Sequence, residues 1–225
     1  MTLSAQAGYH RNLRREWLVL SVLMLGLVAW LCLAGGLRRM DYLVQDAGTR
    51  LYAHAAHPDI VIVAVDDRSI ASIGRWPWRR ALHAQLVDQI TAQSPRALGL
   101  DILFGEEDAD YPGDDLLLAR ALERNAHAVL PVARRGDGPR SSADAPMPLL
   151  RQAAAQLGHV QVQLDEDGVA RSLFEHEGPA SAPWPHFSTA MLCAEGLALA
   201  SCRGNAAPVN APWTSQDLQI LRFAQ

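Results

Sequence analysis

The chain has 225 residues, 49% hydrophobic and 20% charged, enough for one sizeable core and too apolar for a disordered chain. Its net charge of −4 lacks the basic excess with which nucleic-acid-binding proteins hold phosphates, so no nucleic-acid partner is expected. All 20 basic residues are arginine, which excludes Schiff-base lysine chemistry and a P-loop lysine.

Residues 1–16 carry Arg11, Arg14 and Arg15 and read as a short cytoplasmic N-terminus. Residues 17–37, WLVLSVLMLGLVAWLCLAGGL, contain no charge. At about 1.5 Å per residue such a run spans the roughly 30 Å hydrocarbon core of a bilayer. It is longer than a signal-peptide core of about 7–15 residues, so we read it as an uncleaved transmembrane helix. The arginines before the span, against Arg38 and Arg39 after it, favour an exported remainder by the positive-inside rule. Residues 38–57 form a juxtamembrane connector, with Leu43, Ala47 and Leu51 at helical spacing for docking on the domain.

From Asp59 the pattern alternates strand and helix. IVIVAV (60–65) is β-branched on both faces, as a buried parallel strand should be. Residues 81–93 form a helix with Leu82, Leu86 and Ile90 on its apolar stripe. RALGLDILF (96–104) is the next strand, and 114–125 a helix with acids at its start and Arg124 at its end, as the macrodipole favours. AVLPVA (128–133) is a third strand. This order implies a parallel sheet with crossover helices. Residues 134–148 read as loop, and 149–156 as a short helix. GHVQVQLDEDGVARSLFE then reads as a β-hairpin turning at Asp167-Gly168, with Val160, Val162 and Leu164 on its inner face. A helix over 187–200 and a strand over 218–223 with no evident partner close the chain. The fold expected is α/β: an N-terminal transmembrane helix, then over 58–225 a mixed, partly parallel sheet flanked by helices with an antiparallel hairpin.

Three groups of residues are candidates for chemistry. Asp66, Asp67 and Asp101 fall at the ends of expected parallel strands, where α/β sheets bind ligands. Carboxylates there could hold Mg²⁺ for phosphoester hydrolysis, or simply cap helices and pair with arginines. GRWPWRR (74–80) offers indole faces at Trp76 and Trp78 for apolar or cationic groups and Arg75 and Arg79 for an anion. The plainer reading is that the tryptophans plug a gap between strand and helix. The histidines show no metal-ligand spacing, so neither a metal nor a cofactor is expected. No Gly-rich phosphate loop and no GxSxG motif occurs. Cys193 and Cys202 are read as two unpaired small residues, with pairing in an oxidising compartment as the alternative.

The membrane span together with DIVIVAVDDRSIASIGRWPWRRALHAQLVDQI, RALGLDILFGEED, AVLPV and LGHVQVQLDEDGVARSL resembles the second type of cyclase/histidine-kinase-associated sensory extracellular (CHASE) domain. The resemblance covers roughly residues 40–223, and its most specific part is the Asp-Asp…Gly-Arg-Trp-Pro-Trp block. It implies a bacterial inner-membrane receptor whose periplasmic domain senses a small ligand or stress for a histidine kinase, nucleotide cyclase or Ser/Thr kinase. It implies no catalytic residues in this chain. Such receptors continue with more sheet, further spans and an effector, so the resemblance implies an input half that stops at Gln225, with a homodimer expected. The ligand site expected is Asp66, Asp67, Arg75, Trp76, Trp78, Arg79 and Asp101. A Mg-dependent hydrolase using Asp66, Asp67 and Asp101, or a ligand-free dimerisation module, are the alternatives.

Overall fold

The computed structural model describes residues 3–33, 38–53, 55–136, 141–199, 202 and 211–220. The chain divides into two compact units between Val61 and Ile62. The first contains α1 (Leu3–Leu33) and α2 (Arg38–Leu51). Within α1, Arg15–Leu33 is long and apolar enough to cross a membrane, and no residue of it is buried. The stripe expected to dock, Leu43, Ala47 and Leu51, is exposed on α2. The expected end of the span at 34–37, His54, the tip of the 134–148 loop and the end of the expected 218–223 strand lie outside the described residues.

The second unit is α/β. It contains α3 (Asp67–Ile73), α4 (Arg80–Thr91), β1 (Leu98–Gly99), α5 (Pro112–Asn125), β2 (Ala128–Arg135), β3 (Ser142–Asp144), α6 (Pro148–Ala153), β4 (Gln156–His159), β5 (Gln163–Leu164), β6 (Ala170–Pro179), β7 (Trp184–Pro185), α7 (Phe187–Ala194) and β8 (Trp213–Ile220). In one sheet β2 pairs in parallel with β1 and β4, and its end pairs antiparallel with β3. In the other, β6 pairs antiparallel with β5, β7 and β8. The main core has Leu118 and Leu122 of α5, Leu130 and Val132 of β2, Leu150 of α6 and Leu157 of β4. All six are fully or almost fully buried. They lie on the sheet face and helix stripe that periodicity assigns to a core.

Several expectations are corrected. Residues 60–65 form no strand, and Val61 and Ile62 are 80% and 85% exposed. The expected 96–104 strand shrinks to two residues, because the chain from Asp101 to Tyr111 turns away to bind the start of α5. On α4 the buried face is His83, Ala84 and Val87, while Leu82, Leu86 and Ile90 are only half-buried. The 134–148 segment is not all loop, since β2 extends to Arg135 and β3 follows. The expected hairpin divides between the two sheets. Fully buried His159 belongs to parallel β4, whereas Val162 and Leu164 are exposed. The helix over 187–200 ends at Ala194. The last strand starts earlier, at Trp213, and does find a partner in β6. Cys193 and Cys202 form a disulfide, with Cα atoms 5.5 Å apart.

Candidate functional site

The site begins at the helix starts. Asp66 caps α3, accepting from the Ser69 backbone N–H at 2.8 Å and its hydroxyl at 2.6 Å. Those bonds favour the charged carboxylate and hold its pKa below the ordinary value. After Gly74, at φ +121°, the chain turns through a cis Trp76–Pro77 peptide. Trp78 donates its indole N–H back to the Gly74 carbonyl at 2.8 Å. The two indoles meet edge to face, centroids 5.4 Å apart, a geometry the ring quadrupoles favour.

Arg79 and Arg80 then tie the start of α4 to the start of α5. The Arg79 guanidinium grips Asp114 with two bonds, Nε to Oδ2 at 3.0 Å and Nη2 to Oδ1 at 3.1 Å. It lies 3.7 Å above the Tyr111 ring. Its hydrogen bonds hold the Asp114 carboxyl below the usual range. Arg80 pairs with Asp115 at 2.8 Å and Asp108 at 3.2 Å, and also donates to the Glu106 carbonyl. Asp108 in turn accepts from the Asp110 and Tyr111 backbone N–H groups at 3.1 and 2.9 Å, which fixes the 101–111 loop. The far ends of the helices are joined by Arg124 on Asp88 and by Asn125 on Thr91.

These elements enclose a cleft of about 850 Å³. One wall is Trp76 to His83, another is the 101–111 loop, and Arg135, Asp144 and Val160 complete it. Asp101, Arg135 and Val160 all lie at or just beyond the carboxyl ends of the parallel strands β1, β2 and β4. This is the edge at which open α/β sheets place ligands. His83 is only 2% exposed and touches Trp76, Trp78 and Phe104 by its ring. Burial, and then the Arg80 charge, push its pKa down, so the imidazole is neutral near pH 7.

Of the residues expected at the site, Trp76, Trp78, Arg79 and Asp101 line the cleft. Asp66, Asp67 and Arg75 do not. The strand that was to set Asp66 beside Asp101 is absent, and Asp66 is engaged as a helix cap. Among the described residues no group of three His, Cys, Asp or Glu side chains is placed to hold a metal. Sequence reasoning missed His83, Asp108, Asp114 and Asp115. The signal available was the pair of dipeptides Arg79-Arg80 and Asp114-Asp115, each at the start of a helix.

A second polar cluster lies deeper, where the two sheets meet. His159 is fully buried, its ring centroid 5.2 Å from that of His186 and its Nδ1 4.0 Å from Glu177. Burial, reinforced by His186, pushes its pKa down to about 3. Near neutral pH it is therefore uncharged, and its contact with Glu177 is not an ion pair. Glu177 instead accepts from the Trp213 indole at 3.1 Å and the Ser215 hydroxyl at 2.8 Å.

A family model, that of the CHASE2 domain, matches residues 20–222. The chain belongs to the CHASE2 domain family. CHASE2 domains are extracellular sensory domains of signalling receptors. Comparison with curated proteins and with solved structures gave no significant match. In this CHASE2 domain Trp76, Pro77 and Trp78 of the Gly-Arg-Trp-Pro-Trp block stand in one wall of the cleft, beside Arg79, Arg80 and His83.

Proposed function

We propose that this chain is the membrane-anchored, extracytoplasmic input part of a bacterial receptor, and that its cleft binds a small ligand. One observation carries this reading: the cleft opens at the carboxyl edge of three parallel strands and is walled by Trp76 and Trp78. The Cys193–Cys202 disulfide supports placement in an oxidising compartment, hence the periplasmic side of an inner membrane. Ligand capture would change the pose of the 101–111 loop and of the α4–α5 pair. A second copy of the chain would turn that change into a signal for a kinase or cyclase effector. Catalysis has no part in this reading: the hydrolase alternative relied on a 60–65 strand to set Asp66 beside Asp101, whereas Asp66 caps α3 and does not line the cleft.

The test is a thermal-shift screen of the full chain in nanodiscs against small anions, cations and neutral solutes. A binder should raise the melting temperature by mass action. The shift should vanish in Trp76→Ala while Trp17→Ala, in the membrane span, keeps it. If every shift survives Trp76→Ala, or no solute gives one, the cleft is not a sensor site.

A further inference from the structure

The cleft contains arginines and acids in unequal states of engagement. Each of its three arginines is already paired: Arg79 with Asp114, Arg80 with Asp108 and Asp115, Arg135 with Asp144. Arg79 and Arg80 thus face three carboxylates, and neither is left to hold an anion. On the other side, Asp101, Glu106, Glu107 and Asp110 line the same cleft and make no ion pair among the described residues. An arginine-rich motif has therefore become a negatively charged mouth over two indoles.

At the floor His83 is almost wholly buried and lines the cleft, yet has no hydrogen-bond partner among the described residues. Its neighbours there are rings: Trp76, Trp78 and Phe104. Its ring nitrogens are not closed off: they open into the cleft, where water or a ligand can reach them. A neutral imidazole has one lone pair to offer, which suits an incoming N–H donor.

We propose that the cleft is a receptor site for an organic cation of the amine class, its ammonium donating to His83, its carbon body resting on Trp76 and Trp78, and its charge matched by Asp101 and the acids of the rim. This rests on the reading of the cleft as a ligand site and adds the charge and chemical class of the ligand. Indole faces attract ammonium groups through the ring quadrupole, most strongly where water is excluded. The face of Tyr111 already carries the Arg79 guanidinium, so the open aromatic surface is that of the tryptophan pair.

Calorimetry on the full chain in nanodiscs would test it with five probes. Cadaverine, choline and tetramethylammonium are the cations; glutarate and 1,5-pentanediol match cadaverine in length as anion and neutral. Expected is saturable binding of cadaverine, weakened by added salt and tighter than that of choline or tetramethylammonium, whose quaternary nitrogens have no N–H to give His83, with no binding of glutarate or the diol. A quaternary cation binding as tightly as cadaverine would overturn the His83 contact. Trp76→Ala and Asp101→Asn should each weaken it about tenfold, equivalent to 1.4 kcal/mol. His83→Phe keeps the ring packing but removes the acceptor, and should abolish binding of cadaverine while the melting temperature holds. If His83→Phe unfolds the domain, His83→Gln, which keeps an acceptor, should fold and retain the cation. Glutarate or the diol binding as tightly as cadaverine, with sensitivity to Trp76→Ala, would overturn the charge class and leave the ligand site standing. No binding of any cation, or cation binding indifferent to both Trp76→Ala and Asp101→Asn, would overturn the proposal outright.

Discussion

Two buried positions show how single side chains, or the lack of one, set the architecture beside the cleft. A Cβ added to Gly158 would lie 2.6 Å from the Phe187 Cα and 2.9 Å from the Ala190 Cβ. The missing methyl therefore lets β4 lie directly against the backbone of α7. Gly158→Ala should destabilise the domain by about 1–3 kcal/mol, as overpacking does, and urea unfolding would measure it. His159 makes a prediction about acid. Its pKa falls from 6.5 to about 3 on folding, so below pH 6.5 the unfolded chain takes up a proton that the folded chain refuses. Stability is full above about pH 6.5 and drains away towards pH 3, by on the order of several kcal/mol. Glu177 acts in the opposite sense: burial raises its pKa above 4.5, so its share is lost as pH rises through the raised value. His159→Gln should flatten the acid slope of melting temperature against pH over pH 3–6.5, and an unchanged slope would assign acid sensitivity elsewhere.

Among the elements, helices read more truly from sequence than strands. The α5 boundaries follow from Pro112 at its start and Arg124 at its end, and its core stripe Leu118 and Leu122 repeats at four residues. Its partner α4 was legible in length but not in face. Leucine periodicity selected Leu82, Leu86 and Ile90, while the aromatic wall of Trp76, Trp78 and Phe104 draws in His83 instead. The hairpin turning at Asp167-Gly168 forms, with β5 antiparallel to β6, but it is shorter than the alternation of Val and Gln over 160–164 suggests. Gly158 and His159 belong instead to parallel β4, where they fit between β2 and α7. Half of the site was legible, because Trp76, Trp78, Arg79 and Asp101 stand out by type. Asp114 and Asp115 were not, because a residue pair about 35 positions apart leaves no periodic trace. The disulfide bears on α7: Cys193 lies in its last turn, and the bond to Cys202 closes a short loop over nine positions of sequence. Replacing both cysteines by serine should cost up to about 3 kcal/mol. At roughly 2–4 °C per kcal/mol, calorimetry would detect the loss, and reductant should reproduce it in the unaltered chain but not in the variant.

At the scale of the whole molecule, the prediction is one of sidedness. Alkaline phosphatase fused after residue 220 should be active in intact bacteria, and inactive when fused after residue 12. The reverse result would place the cleft in the cytoplasm and remove its access to external solutes. The β-branched run at 60–65 carries a different kind of consequence. It is exposed and unpaired by any strand among the described residues, with no proline, glycine or charge inside it. Short segments of that kind stack into cross-β fibres when their backbones are open to other chains. A chain severed near residue 58 and released into solution should therefore gel or form fibrils with thioflavin-positive spines as its concentration rises. Ile62→Lys, a gatekeeper in the middle of the run, should keep it clear.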